Sequence, residues 1–73
     1  MENKELYAEI SQRLKEEILL SGKTKTEIAA AVGIKKPTLS QYLSGRIQPS
    51  LVTFALLCKV IDASADTILN IKK

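Results

Sequence analysis

The sequence predicts an all-α fold of five helices, and three observations carry that prediction. Nearly every apolar residue falls on a three-and-four spacing, glycine and proline fall at segment boundaries, and no run alternates apolar and polar residues with period two. With 73 residues the chain has length for one small domain, expected over 1–73 with its core at about 5–71, because a single core rarely takes fewer than roughly 50 residues. No repeat, low-complexity tract or long linker divides it.

The elements follow in order. Leu6, Tyr7, Ile10, Leu14 and Ile18 share one face of a first helix, and Ser21-Gly22 ends it. Thr24-Lys25-Thr26-Glu27 then has the capping-box pattern, in which the Thr24 hydroxyl accepts from the Glu27 N–H while the Glu27 carboxylate reaches back. The second helix that starts there turns Ile28, Ala29 and Val32 inward and stops at Gly33, where a tight left-handed turn is needed. A third helix has Leu39, Tyr42 and Leu43 as its apolar side and closes at Ser44-Gly45. The residue before a proline avoids the helical region, so Lys36 is the expected N-cap, with Pro37 at the first helical position. Lysine cannot accept from the free N–H groups, which leaves them to water or to an external anion such as a phosphate.

Pro49-Ser50 opens a fourth helix, capped by Ser50 and running to about Ile61. Its expected core stripe is Leu51, Phe54, Leu57, Cys58 and Ile61. Val52, Leu56 and Val60 recur every four residues as a second apolar stripe beyond what one buried face needs. Ser64 caps a last short helix with Asp66 in its first turn, near the positive end of the helix dipole.

Composition narrows the function. Histidine is absent and Cys58 is the only cysteine. No Cys/His spacing or acidic cluster points to a metal, and no activated nucleophile is visible, so the reading is a non-enzyme with no cofactor. One thiol and a polar N-terminus, Met1 to Lys4, fit a reduced, cytoplasmic protein, and the apolar stretch Phe54 to Cys58 is too short for a membrane span. The net charge of +3 is unevenly spread. Residues 1–22 carry net −2, whereas residues 23–49 set Lys23, Lys25, Lys35, Lys36 and Arg46 against Glu27 alone. A basic band in a small domain fits a polyanion, or a solvated face.

Between Lys25 and Ser44, KTEIAAAVGIKKPTLSQYLS has the spacing of a helix-turn-helix. Ala29 is small where two helices cross, Gly33 makes the turn, and Ile28, Val32, Ile34, Leu39 and Tyr42 form the wedge that fixes their angle. On these residues, with TLSQYLSGR, PSLVTFALLCKVI and the closing SADTIL, the chain resembles the Cro/repressor-type (XRE-like) family of transcriptional regulators from about Ile10 to Leu69.

The resemblance implies a five-helix domain whose third helix enters the DNA major groove, and dimers that bind palindromic operators. It assigns base reading to Lys36, Pro37, Thr38 and Gln41, whose chemistries suit guanine, thymine methyl and adenine edges. Phosphate contacts fall to Lys25, Lys35, Ser44 and Arg46, with Ser40 a weaker candidate. The chain departs from the family pattern in three respects. Ile18 and Leu43 stand where many relatives have a buried Arg–Glu pair, Lys25 replaces a common glutamine, and Lys23 replaces an apolar residue, leaving a gap for Leu19 or Leu20 to cover.

The second stripe of the fourth helix, Val52, Leu56 and Val60 together with Ile71, is the expected homodimer interface. The partners expected are therefore double-stranded DNA and a second copy, with no membrane and no small-molecule ligand evident. The alternative is a protein-interaction module of antitoxin or antirepressor type using the same fold and binding its partner through that stripe.

Overall fold

The computed structural model describes residues 4–70, and these form five helices with no strand. They are α1 (Lys4–Ser21), α2 (Lys25–Val32), α3 (Lys36–Ser44), α4 (Leu51–Ile61) and α5 (Ala65–Leu69). The order and type of all five agree with the sequence expectation.

Local chemistry sets the boundaries. The Thr24 hydroxyl accepts from the Glu27 N–H at 3.1 Å, and the Glu27 carboxylate accepts from the Thr24 N–H at 2.8 Å, so the capping box is complete. Gly33, at φ +88°, ends α2 and donates its N–H to the Ala29 carbonyl. Ser50 caps α4 by accepting from the Thr53 N–H at 3.1 Å. Ser64 is the N-cap of α5 but makes no side-chain cap bond.

The start of α3 differs by one residue from expectation. Lys35, at φ −82° and ψ 150°, is the N-cap, Lys36 is already helical, and Pro37 lies second in the helix. The bias of a residue before proline against the helical region is a preference. It yields here because the Leu39 N–H bonds the Lys35 carbonyl at 3.1 Å, and the Ile34 N–H bonds back to Ala29. The first turn is thereby closed from Lys35.

Each helix gives one of the most deeply buried side chains: Leu14, Ile28, Leu39, Leu57 and Ile68. Around these pack Ile18, Ala29, Tyr42, Leu43, Cys58 and Ile61, with Val32, Ile34 and Phe54 at the margin. Helix α1 lies against α3, α4 and α5, while α2 bridges α3 and α4. Ile18 and Leu43 are both in this apolar cluster, so neither position buries a charge or bears the desolvation cost of an ion. Burial also pushes the Cys58 thiol pKa up.

Three expectations need correction. Leu51 is 88% exposed instead of joining the core, because as the first residue of α4 it has no neighbouring layer beyond it. Leu19 and Leu20, 72% and 79% exposed, do not cover the gap beside Lys23; they follow Ile18 on the outer side of α1. Val60 is half-buried and packs against the core. Leu6 and Tyr7 lie on the expected face but are only half-covered, because the first turns of α1 run past the body of the domain. Ile71 lies outside the described residues.

Candidate nucleic-acid interface

Helix α3 buries Leu39, Tyr42 and Leu43 and thereby fixes which way its other side chains point. Pro37, Gln41 and Ser44, spaced four and three residues apart, make one exposed row. Lys36 and Ser40 make a second exposed row beside it, and Thr38 is half-buried at the flank. Burial of one face has therefore placed five of the six expected contact residues of α3, all but Thr38, on one outward surface. A helix with its side chains is roughly 10–12 Å across, which fits the ~12 Å width of a B-DNA major groove.

The basic groups sit at helix beginnings and turns. Lys25 is the first residue of α2, Lys35 caps α3, and Arg46 follows the turn that ends α3. All are exposed, and the salt bridge found among the described residues, Arg13 with Glu9, involves none of them. Their charges are uncommitted within the described protein. The N-cap of α3 makes no side-chain bond, so the Lys36 and Thr38 N–H groups stand open beside two lysines. Such an arrangement favours an anionic oxygen.

The backbone and the side chain of Gln41 are engaged differently. Its backbone carbonyl accepts from the Arg46 N–H at 3.1 Å and from the Ser44 hydroxyl at 3.1 Å, which fastens the following turn to α3. Its side chain makes no hydrogen bond with another described residue and faces outward. Gly45, at φ +80°, permits the reversal that brings Arg46 back to that carbonyl.

The Ser44 bond also reorders two phosphate candidates. Phosphate oxygens only accept, and the single hydroxyl hydrogen of Ser44 is already donated to Gln41. Ser40, exposed and one turn from Lys36, has no such commitment among the described residues. Spacing treats two serines alike, whereas the hydrogen-bond geometry separates them.

Two features escaped the sequence. Ser11 is a buried polar residue whose side chain lies against Gly45, close to where a Cβ would stand. Arg13 of α1 reaches the backbone of α5. Neither has a local sequence signal, since each joins segments far apart in the chain.

No helix of the described residues is long and apolar enough to cross a membrane, and they hold no group of His, Cys, Asp or Glu arranged for a metal. A family model described as helix-turn-helix matches residues 14–68, more than half of the chain. No curated protein and no solved structure matches it. The matched span runs from the core residue of α1 through α5 and contains the whole outward face of α3. The chain belongs to the Cro/repressor-type (XRE) helix-turn-helix family of DNA-binding transcription regulators.

Proposed function

We propose that the protein is a homodimeric repressor that reads an inverted-repeat operator in double-stranded DNA, with α3 in the major groove. The observation that carries this reading is the outward row of α3 bordered by unpaired basic groups. Lys36, Pro37, Thr38 and Gln41 read bases: Gln41 pairs with adenine N6 and N7, Lys36 donates to guanine, and Pro37 and Thr38 meet thymine methyls. Lys25, Lys35, Ser40 and Arg46 hold phosphates, and Ser44 does so only if its hydroxyl turns away from Gln41. A dimer sets two α3 helices about 34 Å apart on successive major grooves. The protomer extents of 35 × 24 × 20 Å are compatible with that spacing.

The interface of the dimer is the outer face of α4. Val52 is 71% exposed and Leu56 is also exposed, which supports the expected stripe, and Leu51 extends it in place of half-buried Val60. That same face supports the second reading, a module whose main role is to bind another protein. Selection of bound sites from randomised duplexes decides between them. A two-fold symmetric site with half-sites one helical turn apart is the expected result. Failure to enrich any sequence, together with salt-independent binding to random DNA, would discard the DNA-reading role.

A further inference from the structure

A cleft of about 320 Å³ opens where the first turns of α1 pass the start of α4. Tyr7 and Ile10 of α1, Leu51 and Phe54 of α4, and Leu69 of α5 form its apolar walls, and among the described residues no charged side chain lines it. Leu51 is at once a wall of this cleft and the most exposed large apolar side chain among the described residues, at 88%. Along α4 it leads directly to Val52 and Leu56. Cleft, projecting leucine and stripe thus form one continuous surface.

We propose that this surface is the socket of the homodimer, each copy seating Leu51 in the cleft of the other between Tyr7 and Phe54. The proposal rests on the homodimer reading above and specifies the contact that makes it. A two-fold interface uses one patch twice, so the patch must contain both a projection and its receptacle. This one does. It must also meet itself without like-charge repulsion, a condition that an uncharged cleft satisfies and a basic surface does not. The absence of charge on its walls equally makes a phosphate backbone a poor occupant.

Area points the same way. Leu51, Val52, Tyr7 and Leu56 are 88%, 71%, 45% and 39% exposed, an apolar patch of the class, a few hundred Å², that marks an interaction site on a monomer. A standard interface takes roughly 800 Å² per partner, with an apolar centre and a polar rim. The patch is the right size for that centre.

Sedimentation equilibrium of the full chain tests the socket with Leu51→Asp, Tyr7→Ser and, as a control on a second exposed leucine, Leu20→Asp. Circular dichroism establishes that each variant is folded. The wild-type chain is expected at twice the protomer mass, with Leu51→Asp weakening association by roughly 30-fold, as loss of a central anchor does. Tyr7→Ser weakens it in the same direction, and Leu20→Asp leaves it unchanged. A wild-type dimer that keeps its association constant in both Leu51→Asp and Tyr7→Ser overturns the socket while leaving the homodimer reading intact. A wild-type chain that stays monomeric both free and on its selected site removes the homodimer reading and the socket with it.

Discussion

Arg13 donates its Nε hydrogen to the backbone carbonyl of Ile68 at 2.6 Å, tying the third turn of α1 to the end of α5. Helix α5 has only five residues, too few to persist unless its packing and termini are held from outside. The Ile68 carbonyl is among the orphan acceptors of a helix end, and a cationic donor satisfies it. Arg13→Met should therefore cost about 1.5 to 3 kcal/mol in urea unfolding, the range for a hydrogen bond with a charged partner. Glu9 approaches Arg13 only to 3.9 Å and is largely exposed, so Glu9→Gln should cost less than about 0.5 kcal/mol. Equal losses from the two substitutions would assign the effect to the ion pair instead.

Gly45 and Gly33 both hold positive φ, yet their surroundings differ. A Cβ at Gly45 would stand 3.4 Å from the Ser11 Oγ, whereas one at Gly33 would meet nothing within 4 Å. Gly33→Ala should cost only left-handed strain, about 1 to 2 kcal/mol. Gly45→Ala adds crowding against α1 and should cost more. Because Gly45 also aims Arg46, the folded Gly45→Ala protein should bind random duplex DNA more weakly than wild type. Thermal unfolding and fluorescence anisotropy measure the two effects separately. Matching stability losses at the two glycines would show that Ser11 yields freely.

The capping box predicts a direction with pH. Hydrogen bonding from the Thr24 backbone and side chain, helped by nearby Lys23, holds the Glu27 carboxyl pKa below its ordinary value. A folded-state pKa below the unfolded one means that the stabilisation is complete above the ordinary glutamate pKa. It is lost as pH falls through the lowered folded value. Thr24→Ala removes the cap hydroxyl and should cost about 1 kcal/mol at neutral pH. The stability gap between wild type and Glu27→Gln should shrink on acidification below about pH 4, where the unfolded carboxyl protonates. Paired denaturation curves at pH 7 and pH 3 report this, and a gap that widens in acid would reverse the assigned sign.

Ile18 and Leu43 make the apolar replacement of an ion pair testable by a double-mutant cycle. Both are buried in the common core. Leu43→Glu alone should cost about 3 to 5 kcal/mol, since it buries an unpartnered charge. Adding Ile18→Arg should recover part of that loss if the two side chains can meet, and the double variant should remain no more stable than wild type. Strict additivity of the two single effects would place the residues out of reach of each other.

Local chemistry made most of the fold readable in advance. Thr24 with Glu27, Gly33, Gly45 and Ser50 each act on groups within a few residues, so their effect is written into adjacent positions. Leu51 departs from its expected place in the core because periodicity gives the face of a helix but not the extent of whatever stands opposite. The cleft exists where that opposing layer stops. The Arg13 bond to Ile68 spans 55 positions and belongs to tertiary structure alone. For the interface, the outward residues of α3 followed from the positions of Leu39, Tyr42 and Leu43, while the difference between Ser40 and Ser44 depended on where one hydrogen points.

The division between base reading and phosphate holding has its own signature. Gln41 presents a free amide side chain beyond its backbone anchor, so Gln41→Ala should cost roughly 1 to 3 kcal/mol on the selected site and almost nothing on random duplex. Lys25 carries an uncommitted charge at the start of α2, so Lys25→Ala should weaken all duplexes alike and flatten the salt dependence. With three basic phosphate contacts in each protomer, Lys25, Lys35 and Arg46, the slope of log affinity against log salt for the dimer should be about −5. Losing Lys25 from both protomers should bring it to about −4. Anisotropy titrations across a range of salt concentrations measure both quantities. Should Gln41→Ala lower binding to selected and random DNA by the same factor, Gln41 holds the backbone and base reading falls to the other residues of the α3 face.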